Sequence, residues 1–217
     1  MASVLVPEFK VILVGEYGVG KTSLFRRFST NTFLDTDSMT PSASRRSTLG
    51  LDHCARKFET KSLKAIKIQL WDTGGLERVA SITNSYYKFA AAAILMFSLA
   101  SIDSFHCLPQ HLLEILSLAE NAKIILVGNK CDLQPHEVTD SDIDMFLEQF
   151  PKFDGVYKIS CKTNEGVSEL FDEIAEQLAS ISYKSSFDAF KLHSHSEAGC
   201  CNANHLQQDE ENYCCAK

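Results

Sequence analysis

Gly15-Glu16-Tyr17-Gly18-Val19-Gly20-Lys21-Thr22 spells the pattern G-x-x-x-x-G-K-T. The residues before it, Phe9-Lys10-Val11-Ile12-Leu13-Val14, form an apolar run of strand length. Those after it, Ser23-Leu24-Phe25-Arg26-Arg27-Phe28, carry apolar spacing suited to a helix. Strand, glycine-rich turn and helix in that order predict a phosphate-binding loop rather than an ordinary turn. Gly15, Gly18 and Gly20 allow the backbone to wrap a phosphate with its N–H groups turned inward. The helix that follows adds the positive end of its dipole. Lys21 supplies a compact charge for the β- and γ-phosphates, and Thr22 a hydroxyl for Mg²⁺. A bound nucleotide is the expectation.

The rest of the chain supports a domain around that loop. Its 217 residues suffice for one well-cored domain and a tail, and 45% hydrophobic with 23% charged residues is ordinary for a globular protein. A net charge of −7 argues against nucleic acid as partner. Met1 to Pro7 shows no signal peptide, and the longest apolar run, Phe89 to Ala100, is too short to span a bilayer. Ala65 to Trp71 alternates with period two, as a half-buried strand does. Ala90 to Leu99 and Lys123 to Gly128 are continuous apolar runs, expected of strands covered on both faces, with Val156 to Ser160 a shorter candidate. Helical spacing falls over Asp103 to Glu120, Ser141 to Phe150 and Gly166 to Ile181. Alternating strands and helices predict an α/β fold with a mostly parallel, doubly wound sheet and ligand loops at the strand C-terminal ends. The domain is expected over residues 1–183, with a flexible tail over 184–217.

Two further strand ends carry chemistry. Asp72-Thr73-Gly74-Gly75 offers a carboxylate for a Mg²⁺-bound triphosphate, and at Gly75 a backbone N–H for a γ-phosphate. Asn129-Lys130-Cys131-Asp132 follows the Lys123 strand. A carboxylate there can accept from the N1–H and 2-amino group of guanine, a pattern adenine lacks. Ser160-Cys161-Lys162 can close the other side of the base. An ATPase or P-loop kinase is disfavoured by the Asn129 to Asp132 stretch.

In this order the motifs resemble the Ras superfamily of small GTPases, and within it the Rab branch, over roughly residues 8 to 181. Trp71-Asp72-Thr73, Glu77-Arg78, Ser81-Ile82-Thr83, Ser85-Tyr86-Tyr87 and Ser101 to Phe105 carry the Rab likeness. The resemblance implies a P-loop small G domain of six strands and five helices, with Mg²⁺ and GTP or GDP. It implies nucleotide contacts at Gly15, Gly18, Val19, Gly20, Lys21, Thr22, Ser23, Gly75, Asn129, Lys130, Asp132, Ser160, Cys161 and Lys162. Phe33 would pack against guanine, and Asp72 would hold Mg²⁺ through water. Trp71 and Tyr86 would lie in an exposed aromatic cluster read by partners, with His53 in place of the usual phenylalanine.

The pattern also breaks. Thr40 stands at the usual distance for the switch threonine that joins Mg²⁺, but Ser47 to Asp52 resembles the Rab switch better, which favours Thr48 and implies an insertion of about eight residues. Leu76 replaces the glutamine that orients the attacking water, and leucine neither donates nor accepts. Tyr17 stands where Ras carries glycine, and Gly74 where alanine is usual. Slow hydrolysis and a bias toward the GTP form follow. Arg45, three residues before Thr48, has the offset of a catalytic arginine supplied in cis, though Arg45-Arg46 also reads as a solvated pair. A partner could supply the missing groups in trans.

The eight cysteines divide evenly. Cys54, Cys107, Cys131 and Cys161 lack zinc spacing and read as free buried thiols. Cys200, Cys201, Cys214 and Cys215 crowd the last eighteen residues. The ending Cys214-Cys215-Ala216-Lys217 is not a C-a-a-X box but is similar to Rab double-cysteine endings, which receive two geranylgeranyl groups. Asp188, Glu197, Asp209, Glu210 and Glu211 outnumber Lys191 and Lys217, so no polybasic segment assists attachment. Cys200 and Cys201 are open to palmitoylation or simply reduced. The implied setting is the cytoplasmic face of an intracellular membrane, with cycling to the cytosol. Exchange factors, effectors and prenyl-binding escort proteins are the implied partners, and the rival function is a nearly non-hydrolysing, GTP-bound interaction module on a membrane.

Overall fold

The computed structural model describes residues 6–34, 52–61, 65–73 and 80–194. The switch candidates Thr40, Thr48 and Arg45, the stretch from Gly74 through Gly75 and Leu76 to Arg78, and Cys200, Cys201, Cys214 and Cys215 lie outside the described residues. By internal contacts the chain divides into Met1–Ser182 and Tyr183–Lys217.

Within the first unit, strands β1 (Glu8–Gly15), β2 (Asp52–Glu59), β3 (Ala65–Asp72), β4 (Ala92–Ser98), β5 (Lys123–Asn129) and β6 (Gly155–Lys158) form one sheet. Their order is β2-β3-β1-β4-β5-β6. Only β2 runs antiparallel, pairing Asp52 with Asp72 and Glu59 with Ala65. Helices α1 (Lys21–Thr30), α2 (Ala80–Tyr87), α3 (Ile102–His106), α4 (Leu108–Leu118), α5 (Asp140–Gln149) and α6 (Val167–Ser194) complete the described elements.

Side-chain alternation explains why this sheet is covered on both faces. Along β1, Val11 and Leu13 enter one core while Ile12 and Val14 enter the other. Along β4, Ile94 and Met96 face the first and Leu95 and Phe97 the second. All seven β4 residues are buried, which accounts for its continuous apolar sequence. Phe28 of α1 and Phe171 of α6 meet on the first face with ring centroids 4.7 Å apart. Phe105, Phe146 and Phe153 cluster on the second.

Four expectations need refining. The helix expected over Asp103 to Glu120 comes as two, α3 and α4, broken at Cys107 just before Pro109, whose ring lacks the N–H needed inside a helix. The helix expected to end at Ile181 continues through Ser194. The α5 start belongs to Thr139, which forms a capping box with Asp142; the Thr139 hydroxyl, then its backbone N–H, holds the Asp142 carboxyl below the usual carboxylate range. Of the four cysteines in the described region all are free, but only Cys161 is buried.

β1 sits at the reversal of strand order, between β3 and β4. The crevice at its C-terminal end is where this architecture places ligands.

Candidate functional site

Gly15 ends β1 with φ +140°, and a Cβ there would lie 2.2 Å from the Met96 carbonyl oxygen on β4. Only glycine lets the loop leave the sheet so close to a neighbouring backbone. The loop then enters α1 through Gly20, at φ 106° and without a side-chain cap. Nor does the first turn of α1 carry an acidic residue. Its leading N–H groups therefore have no side-chain anion of their own, which suits an incoming phosphate. Lys21, only 6% exposed, turns its Nζ to the carbonyls of Gly15 (2.7 Å) and Glu16 (3.0 Å).

Glu16 fixes the outer side of the loop. The Tyr17 N–H donates to Glu16 Oε1 (3.0 Å) and holds the carboxyl below its ordinary range. Its other oxygen lies 3.8 Å from His111 Nε2, against α4. Tyr17 itself is 43% exposed and lines the pocket.

At the end of β3, Asp72 is fully buried and its Oδ2 accepts from Thr22 Oγ1 at 2.7 Å. The neighbouring Thr73 Oγ1 is buried without a hydrogen-bond partner. A hydroxyl and a carboxylate in contact are hard oxygen donors of the kind Mg²⁺ takes. Among the described residues no three His, Cys, Asp or Glu side chains cluster around a common point. Mg²⁺ keeps waters and phosphate oxygens and needs only one or two protein ligands.

β5 and the chain after β6 build the other half. Asn129, 2% exposed, donates from Nδ2 to the Val19 carbonyl (2.8 Å) and accepts at Oδ1 from the Cys161 N–H (3.1 Å). One amide thus joins the phosphate loop to the Ser160-Cys161-Lys162 segment. Asp132 Oδ1 accepts from Ser160 Oγ at 2.6 Å, and Ser160 Oγ in turn accepts from the Thr163 N–H at 3.0 Å. Asn129, Asp132 and Cys161, with Gly18, Gly20, Ser23, Phe33, Lys130 and Lys162, surround a pocket of about 570 Å³, within the usual range for a small ligand.

Sequence reasoning missed Arg27. From the last turn of α1 it donates through Nε to the Cys161 carbonyl (2.7 Å) and through its terminal nitrogen to that of Lys162 (2.8 Å). Its guanidinium lies 6.0 Å from the centre of the Phe33 ring. In the sequence it is one polar residue on a helix, and no spacing ties it to residues over a hundred positions away. Arg26, Leu34 and Leu133 also line the pocket. Burial pushes the Cys161 thiol up to about 12. Iodoacetamide at mildly alkaline pH, which modifies ordinary thiols near their usual pKa of about 8.5, is expected to leave Cys161 unmodified in the native protein. Peptide mapping checks this, and full labelling at Cys161 without denaturant contradicts it.

The expected aromatic cluster is only partly exposed. His53 is exposed and stacks on Trp71, ring centroids 4.7 Å apart and planes within 17°. Tyr86, expected on the surface, is instead 3% exposed. Its hydroxyl donates toward the Leu13 and Trp71 carbonyls (3.0 and 2.8 Å) and accepts from the Leu13 N–H. A phenol with such partners inside is held there.

A mostly parallel sheet with a phosphate loop at its reversal point, and a carboxylate-bearing base loop beside it, defines a P-loop nucleotide-binding protein. The Ras family model matches residues 10–180. The chain is 38% identical over 174 residues to the human Ras-related protein Rab-30, covering 79% of this chain and 80% of that one. It is 33% identical over 178 residues to Rab-1C of Dictyostelium discoideum, covering 79% and 83%. To human Rab-19 it is 34% identical over 172 residues, covering 78% and 75%. The protein belongs to the Ras family, as a Rab-like small GTPase.

Proposed function

We propose that this protein is a GTP-binding switch of membrane trafficking whose hydrolysis is slow. The observation that carries the nucleotide reading is Asn129, which brings the base loop, the phosphate loop and the Cys161 segment around one pocket. In this reading Asp132 selects guanine and Phe33 covers it. Lys130 and Ser160 frame the base, and Gly15, Gly18, Val19, Gly20, Lys21 and Ser23 hold the phosphates. Thr22 would hold Mg²⁺ directly and Asp72 through water, joined by Thr48 in the GTP state. When bound, that ion would offset the negative charge of the phosphates.

Lys21 exchanges its two carbonyl partners for phosphate oxygens on binding. Gly75 senses the γ-phosphate through its N–H. Leu76 leaves the attacking water unoriented, and Tyr17 at the mouth crowds the space beside the γ-phosphate. The terminal Cys214 and Cys215 would carry two geranylgeranyl groups, since one chain gives only marginal binding. That anchor places the protein on the cytoplasmic face of an intracellular membrane, with escort proteins returning it to the cytosol. The relatives' Rab names support the trafficking role. Leu76 also favours a second reading, a GTP-bound module that essentially never turns over.

Single-turnover hydrolysis of preloaded GTP tests the switch. Leu76→Gln is expected to speed turnover at least about tenfold, as a restored water-orienting group should. Wild-type turnover equal to that of Leu76→Gln, abolished by Arg45→Ala, would mean that the cis arginine carries the chemistry.

A further inference from the structure

Four non-glycine residues among those described have positive φ: Asn31, Phe89, Lys130 and Asn164. Asparagine tolerates that region, and Lys130 lies in the base loop. Phe89 has neither excuse. Its φ is 63°, an outlier for a bulky side chain, and the ring is 82% exposed. The ring's one described partner is the Lys88 ammonium, 4.9 Å from its centre. A strained residue that packs on no core is retained at a cost to the fold, and such outliers point to a role outside it.

Its position names the occupant. Phe89 precedes β4, at the N-terminal edge of the parallel strands, away from the nucleotide pocket. Lys10, near the start of β1, donates from Nζ to the carbonyl of the preceding residue, Lys88, at 3.1 Å. α6 runs to this same edge: Glu176 accepts from the Lys61 N–H, and Gln177 donates to the carbonyl of Asp154, just before β6. The chain leaves the sheet unit at Ser182, roughly a turn and a half beyond Gln177. The end of the sheet unit thus lies at the edge that displays Phe89.

We propose that Phe89 and Lys88 form a membrane-contact point, the ring entering the lipid interface and the ammonium meeting anionic headgroups. The placement rests on the lipid-anchor reading, since a chain of net charge −7 is not drawn to such a surface by its overall field. The aromatic adds a contact beside the two lipid chains, where the acidic tail offers no polybasic one.

The test uses full-length protein on phosphatidylcholine vesicles doped with phosphatidylserine, anchored in two ways. One form is geranylgeranylated; the other carries a C-terminal hexahistidine tag held by a nickel-chelating lipid. Phe89→Gly is expected to speed dissociation about tenfold in both forms, as expected for losing one partly buried aromatic. It is also expected to raise the unfolding temperature, because glycine takes positive φ freely. Lys88→Glu should speed dissociation only when phosphatidylserine is present. Unchanged dissociation of Phe89→Gly on the nickel tether overturns the contact, and is the result a protein-docking aromatic would give. If Cys214→Ser with Cys215→Ser leaves untagged chains on vesicles after prenylation, the anchor reading fails, while the nickel arm still decides Phe89.

Discussion

Replacing Asp132 with asparagine is expected to weaken GTP about 10³-fold and to create binding of xanthosine triphosphate. The Ser160 hydroxyl fixes the sign. Its oxygen already accepts from the Thr163 N–H, so its proton points to Asp132 Oδ1 at 2.6 Å. An asparagine must turn its oxygen to that proton, which puts its amide nitrogen where Oδ2 stood. Guanine offers two donors on this edge, so one meets a donor. Hydrogen bonds to a charged acceptor contribute about 1.5–3 kcal/mol each, and an unpaired buried donor adds its own penalty. Xanthine replaces the 2-amino group with a carbonyl, which accepts from the new amide. Competition binding with the three triphosphates of guanosine, xanthosine and adenosine measures it. Undiminished GTP affinity would remove Asp132 from base recognition.

Gly15→Ala is expected to cost the fold about 3–5 kcal/mol and to abolish tight GDP binding. The added methyl would stand 2.2 Å from the carbonyl oxygen of Met96, a residue paired with β1 on one side and β5 on the other. A backbone atom cannot rotate aside, so β1 and β4 must separate at the site's floor. The same shift moves the Gly15 carbonyl, which accepts from Lys21 Nζ. Gly18 provides the control. At φ 80° it has no atom within 4 Å of a built Cβ, so Gly18→Ala carries backbone strain alone, about 1 kcal/mol. Urea midpoints and GDP titration read both effects. Equal losses for the two variants would show that the close approach at Met96 does not govern the loop.

Much of this site was legible in the sequence because its chemistry is local. Gly15 to Thr22 marks itself by the turn it must make, and Asp72 and Asn129 each end a strand that its apolar pattern reveals. Arg27 was not legible, because its two carbonyl partners are brought to it by folding and carry no side-chain signature. Tyr86 misled for a related reason: family likeness predicts a position, whereas three backbone partners decide that the hydroxyl points inward. Pro109 could have signalled the break between α3 and α4, since proline favours a helix's first turn. Tyr183, Phe187 and Phe190 keep helical spacing beyond Ile181, a signal masked by the polar residues around them.

Asn129 also bears on how a bound nucleotide escapes. Its amide spans Val19 and Cys161, and a Cβ on Gly20 would lie 2.2 Å from its Nδ2, so it is wedged as well as bonded. The base half and the phosphate half therefore share one bolt. A partner that pries the Cys161 segment outward also slackens the loop under the phosphates, without touching either end of the ligand. In the proposed switch, release would then be a single concerted loosening, with its leverage where Arg27 clasps that segment.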